Sequence, residues 1–150
     1  MAEDSSSKLS TTNCSGKSCV TIARLSLHVA DDEYARLVNV LSEDEKERSL
    51  RRLPEVRRRA VVSRGRLRVL LGRLIGVSPE EVSLTTGHYG KPYLSELHQS
   101  SIQFNVAHSM DEAVVAVSHQ GAIGVDLEKT KNNTQPKMGS PDGPHNFLRK

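Results

Sequence analysis

The chain has 150 residues, of which 36% are hydrophobic and none is tryptophan, enough for one domain with a single core and too little for two large ones. No run of 18 apolar residues occurs, which excludes a helical membrane span, and the opening lacks the apolar core of a signal peptide, so a cytoplasmic protein is expected. Net charge is only +3, yet ten arginines face one acid, Glu55, between Arg48 and Arg73. Such a field suits a phosphate-bearing ligand or an acidic partner, although arginines also simply solvate the outer face of a helix.

Residues 1–19 are Ser-rich and of low complexity, and are expected to form a disordered leader. Cys14 and Cys19 within them have no neighbouring histidines, so they fit neither a zinc site nor a disulfide framework. Val20 to Val29 alternates as a strand, with Ile22 opposite Thr21 and Ala23, and with Leu25 and Leu27 following at spacing two. Asp31 and Asp32 precede a short helix or irregular piece. Ser42 opens a Ser-x-x-Glu capping box, which predicts a helix from residue 43.

Pro54 suits the first turn of the next helix, where spare N–H groups make its missing donor harmless. That helix, about 55–75, carries an apolar stripe of Ala60, Leu67, Leu70, Leu71, Leu74 and Ile75, with arginines over the rest. Gly76 is a fitting C-cap, Ser78 and Pro79 open one more turn, and Val82 to Thr85 reads as a short strand. Ser101 to Ala107, Glu112 to Ser118 and Ala122 to Glu128 are three further strand candidates, the last two joined by a hairpin-sized gap. From Thr130 onward periodicity is lost, and 130–150 is expected to be an irregular tail.

Three stretches carry chemistry. HYGKPYL (His88 to Leu94) joins a permissive glycine, the mobile charge of Lys91 and the fixed turn of Pro92, which is equally an ordinary surface turn. In FNVAHS, His108 and Ser109 fall where a strand ends, placed to donate to a phosphate at the rim of the sheet; an idle turn histidine has the same pattern. In GVDLE, Asp126 and Glu128 stand two apart and share a strand face. Two adjacent carboxylates repel unless a cation sits between them, and Mg²⁺ is commonly held by one or two carboxylates plus substrate phosphates. The bland reading is the solvated face of an edge strand. Together the stretches suit a metal–pyrophosphate with a further phosphate on basic groups. They disfavour DNA, whose phosphates would not be met by paired acids, and the few aromatics offer little stacking for nucleic acid.

The order of arginine-rich helix, GKPYL, FNVAHS and GVDLE resembles the 4′-phosphopantetheinyl transferases of the larger, monomeric, surfactin-synthetase-activating type, from about Val20 to Thr130. Ala107 stands where the family string usually has a serine. The resemblance implies an α+β fold in which residues 20–129 form one of two similar halves around a pseudo-twofold axis. It also implies transfer of the phosphopantetheine arm of coenzyme A to a serine of an acyl or peptidyl carrier protein, releasing 3′,5′-ADP. By the same resemblance Asp126 and Glu128 hold Mg²⁺ and are the catalytic pair. His108 meets the 3′-phosphate with Ser109 close by, Lys91 and Pro92 line the nucleotide pocket, and Arg59 or its neighbour Arg58 adds a phosphate contact. The tryptophan-x-x-lysine-glutamate-alanine motif of the second half has no counterpart, so the expectation is a truncated chain without measurable turnover. The alternative is a non-catalytic product that retains at most coenzyme A or carrier-protein binding.

Overall fold

The computed structural model describes residues 7–12 and 20–128. Their helices are α1 (Asp31–Val40), α2 (Glu43–Leu50) and α3 (Pro54–Ile75), and their strands are β1 (Ser7–Thr12), β2 (Val20–Ser26), β3 (Leu84–Thr86), β4 (Pro92–Leu94), β5 (Gln103–Ser109) and β6 (Glu112–Ser118). Strands β1, β2, β6 and β5 form an antiparallel sheet in that spatial order, while β3 and β4 make a separate antiparallel pair. Helices lie apart from strands in sequence, so the class is α+β, as expected.

Local chemistry places the helix ends. Ser42 accepts from the Glu45 backbone N–H while the Glu45 carboxylate accepts from the Ser42 N–H, a complete capping box at the start of α2. Helix α3 begins on Pro54 and ends on Gly76, whose φ of 77° is the left-handed conformation that glycine adopts freely. In β2 the alternation holds: Ala23 and Leu25 are buried and Ile22 lies on the outer side. The core joins these two residues and Leu27 to Leu37 of α1, Val62, Leu67 and Leu71 of α3, Phe104 of β5, and Val115 and Val117 of β6.

Helix α3 departs from its expected stripe. Val61 and Val62 are buried, Leu74 is exposed, and Arg66 and Arg68 are almost wholly enclosed. The cause is the neighbouring helices, which cover the side that a lone amphipathic helix would leave to water. Glu33 of α1 meets Arg66 at 2.6 Å, and Glu45 of α2 holds Arg68 through two hydrogen bonds of 2.8 and 3.1 Å. These arginines are structural ties between helices.

Two further differences concern strands. Six residues of the segment expected to remain unpacked, Ser7–Thr12, form β1 against the free edge of β2, with Ser7 opposite Leu25 and Thr12 opposite Val20. Ala122 to Glu128 forms no strand. The expected hairpin would have placed it beside β6, but β2 and β5 already occupy both edges of that strand. The alternation survives without pairing: Ile123, Val125 and Leu127 are partly buried, while Asp126 and Glu128 are exposed. The expected tail at 130–150 lies outside the described residues, as do Cys14 and Cys19. Among the described residues no helix is long and apolar enough to cross a membrane.

Candidate functional site: a basic pocket between α3 and β5

Successive side chains of β5 point to opposite faces, so Phe104, Val106 and His108 share the face turned toward α3. On α3 the residues facing them recur at helical spacing: Val56, Ala60, Ser63, Arg64 and Leu67. Between the two runs lies a pocket of about 610 Å³, lined also by Tyr89, Gly90, Lys91 and Pro92. Tyr89 and Gly90 both have positive φ, 63° and 75°, and their reversed backbone brings the loop to the pocket before Pro92 starts β4. Tyr89 is fully exposed, and Lys91 Nζ lies 5.2 Å from the centre of the Tyr93 ring.

The wall is one-signed. Arg52, Arg59, Arg64 and Lys91 line it and, among the described residues, no carboxylate does, while Leu27, Phe104, Val106 and Leu67 supply apolar surface. Arg59 donates from Nε to Asp111 Oδ1 at 3.0 Å, a pair half exposed on each side and therefore easily exchanged for a ligand anion. Burial lowers the basicity of Arg64; Glu45, with an oxygen 3.8 Å from its Nε, partly restores it, and Arg68, Arg48 and Arg52 oppose. Ser63, itself buried, lies with its Oγ 2.6 Å from Nε2 of His108. Partial desolvation pushes the His108 pKa below the ordinary histidine value, and the charge of Arg64 adds to that shift. Around neutral pH the imidazole is therefore uncharged beside four cations. A low-dielectric wall of this kind suits a ligand with a flat apolar part and several negative charges.

The structure brings Arg59, Lys91, Pro92 and His108 together on this wall. It does not bring Arg58 there. The Arg58 guanidinium donates to the Val29 carbonyl at 2.8 Å and to Asp31 at 3.0 Å, and stacks 4.7 Å from the Tyr34 ring centre, within a neighbouring cleft. Ser109 follows His108 and so takes the opposite face of β5, where it borders a separate cleft with Arg24, Glu112, Leu127 and Glu128. Met110 borders both cavities. The stretch bearing the acids passes close by: a Cβ added at Gly124 would lie 3.8 Å from Nδ2 of Asn105, which also lines the basic pocket.

Asp126 and Glu128 are both exposed, and Asp126 accepts from the Leu127 N–H at 2.9 Å through Oδ1. Among the described residues no group of three or more histidines, cysteines or carboxylates is placed to hold a metal. Two accessible carboxylates are nevertheless a donor set that fits Mg²⁺, provided substrate phosphates and water complete the shell. The sequence motifs did not single out Arg52, Ser63, Arg64 or Asn105. The signal was present in the helical spacing: Ser63 and Arg64 stand one turn beyond Arg59 and Ala60, on the same face.

Residues 28–123 match the family model described as 4′-phosphopantetheinyl transferase, N-terminal. Similar proteins include the 4′-phosphopantetheinyl transferase HetI of Nostoc sp., 38% identical over 111 residues, which cover 73% of this chain and 47% of that protein. A protein of Synechocystis sp. is 38% identical over 90 residues, 59% of this chain and 37% of its own length. A phosphopantetheinyl transferase of Thraustochytrium sp. is 32% identical over 108 residues, 71% of this chain and 36% of its own. The chain thus spans less than half the length of these relatives.

Proposed function

The chain belongs to the 4′-phosphopantetheinyl transferase family, and from that premise we propose that its basic pocket receives the nucleotide end of coenzyme A. The protein would thereby serve transfer of the phosphopantetheine arm to a serine of an acyl or peptidyl carrier protein. The observation that carries this reading is the pocket wall, on which Arg59, Lys91 and His108 converge with apolar surface and, among the described residues, without a carboxylate. An adenine ring suits the apolar side, and the 3′-phosphate suits the three nitrogen donors. Lys91 acts as a mobile point charge, and Pro92 fixes the loop that carries it. Arg58 steadies the start of α3 through Val29 and Asp31 and takes no ligand role in this reading.

In the reaction the serine oxygen of the carrier bonds to the phosphorus that bears pantetheine, the bridging P–O bond breaks, and 3′,5′-ADP leaves. The serine proton passes to solvent or to the leaving phosphate. Asp126 and Glu128 are the residues that would hold Mg²⁺, with Ser109 beside Glu128 in the same cleft. When bound, the ion neutralises charge on the pyrophosphate oxygens. The chain's own part is to grip the nucleotide, so that the phosphorus is held in place while a carrier serine approaches. We place residues 20–129 as the N-terminal half of the two-halved fold.

A second reading is binding of coenzyme A without transfer. It is favoured by the position of the acids: Glu128 borders a cleft next to the basic pocket, and neither Asp126 nor Glu128 lines the basic pocket itself. Two experiments separate the outcomes. Calorimetric titration of coenzyme A into the protein with Mg²⁺ should give saturable one-to-one binding, weakened on the order of tenfold or more by combined Arg59→Ala and Lys91→Ala. Heats equal to dilution would refute the pocket assignment. Mass spectrometry of an apo-carrier protein after incubation then distinguishes transfer, a gain of the phosphopantetheine mass that EDTA abolishes, from binding alone.

A further inference from the structure

The contact between Ser63 and His108 determines more than the place of the ring. We infer that Ser63 is a positioning residue that selects the His108 tautomer, keeping the proton on Nδ1 so that the imidazole is a donor whether charged or neutral. The use of that donor toward a ligand phosphate rests on the reading of the pocket given above; the tautomer itself does not.

Ser63 lies inside α3 at 7% exposure, and its Oγ stands 2.6 Å from His108 Nε2. Two arrangements fit that distance. Either the hydroxyl donates to a bare Nε2, or Nε2–H donates to the hydroxyl oxygen. In the second, the Ser63 hydroxyl proton would have no protein acceptor among the described residues, because no other hydrogen bond of this side chain is formed there. A buried donor left without an acceptor is costly, whereas an oxygen with a spare lone pair is tolerated more readily. The first arrangement therefore wins. Nε2 accepts, and the one proton of the neutral ring sits on Nδ1.

The surroundings make this choice consequential. Desolvation and Arg64 keep the ring largely neutral near pH 7, so it carries one N–H and not two. The charged groups around it are Arg52, Arg59 and Arg64 from the helix side, Lys91 from the loop, and Asp111 beyond the end of β5. Desolvation and the charge of Arg64 resist protonation, and without Ser63 both tautomers would be open. When the ring is protonated, Nε2–H turns to donate to Oγ and Nδ1–H remains. The nitrogen that Ser63 does not engage thus carries a proton in either state. An anion in the pocket meets a donor across the range in which histidine ordinarily loses its charge.

Long-range ¹H–¹⁵N correlation spectra of the ¹⁵N-labelled protein at about pH 8, without ligand, test the tautomer directly. His108 is assigned by the loss of its signals in His108→Gln. The expected pattern is Nδ1 protonated and Nε2 bare in the parent and in Ser63→Thr, with both tautomers populated in Ser63→Ala. A parent ring protonated on Nε2 would overturn the inference, as would an unchanged pattern in a folded Ser63→Ala. Should Ser63→Ala fail to fold, the parent spectrum alone decides. Titration with coenzyme A at the same pH reads the donor role: Ser63→Ala should weaken binding roughly two- to tenfold, with Ser63→Thr close to the parent. Equal affinity of the parent and Ser63→Ala would remove the donor role. Absence of binding by the parent would overturn the reading of the pocket while leaving the tautomer to the spectra.

Discussion

Arg68→Met isolates the tie on which the helical side of the pocket depends. Helix α2 has eight residues and none is buried, so neither propensity nor packing holds it in place. Two arginines of α3 do so instead. Arg57 donates to the carbonyls of Ser49, Leu50 and Arg52 at the end of α2, at 3.1, 3.2 and 3.1 Å. Arg68, only 3% exposed, grips Glu45 with two bonds and spends Nη1 on the carbonyls of Pro79 and Val82. Methionine fills much of the same volume but abandons four acceptors. Removing one partner of a buried, hydrogen-bonded ion pair costs about 3–5 kcal/mol. Glu45 retains Arg64 at 3.8 Å and its capping bond to Ser42, which favours the lower end of that range. Such a loss is a large share of the roughly 5–15 kcal/mol that stabilises a typical domain. Urea denaturation followed by circular dichroism measures it. The double variant Arg68→Met with Glu45→Leu should regain at least half of the loss, since the stranded charge is gone. A single variant within about 1 kcal/mol of the parent would refute the claim that this pair holds α2 to α3.

Two further outcomes follow from the pocket. Asp111→Asn frees Arg59 from its half-exposed partner, and because such pairs contribute about 0.2–1 kcal/mol, coenzyme A should bind roughly 1.4- to 5-fold tighter; calorimetry showing weaker binding would mean that Asp111 orients Arg59 for the ligand. The His108 pKa lies below its ordinary value of 6.5, so above that pH the ring is neutral in folded and unfolded chains alike and contributes nothing to the pH dependence. As pH falls through 6.5 the unfolded chain takes up the proton first, and stability declines until the folded pKa is passed. Denaturant midpoints at pH 7.5 and about 5.5 should therefore fall less in His108→Gln than in the parent, and equal falls would remove His108 as a source of that dependence.

Much of this architecture is legible in the residues because the signals are local. Ser42 with Glu45, Pro54 and Gly76 mark helix ends through bonds made within one turn, and the alternation of β2 and the apolar run of β6 identify the strands. What was not legible depends on what packs against what. Arg66 and Arg68 look like solvating charges until Glu33 and Glu45 arrive from other helices. Ala122 to Glu128 has the pattern of a strand, but the sheet order leaves β6 no free edge. The same holds at the pocket. Lys91, Pro92 and His108 stand in short recognisable strings, whereas Ser63 and Arg64 belong to the site only because β5 crosses their face of α3. Arg58 and Arg59 are adjacent in sequence and indistinguishable by type; the 100° step of a helix sends one to Asp31 and the other to the pocket.

The central claim is that the wall of Arg59, Lys91 and His108 recognises a phosphate on the nucleotide end of coenzyme A. Parallel calorimetric titrations of coenzyme A and 3′-dephospho-coenzyme A into the same protein test it most directly, because the two ligands differ by that phosphate alone. The account predicts tighter binding of coenzyme A by about 1–3 kcal/mol, the range of charge-assisted hydrogen bonds, with most of the difference lost in Lys91→Ala. Indistinguishable dissociation constants for the two ligands would contradict it.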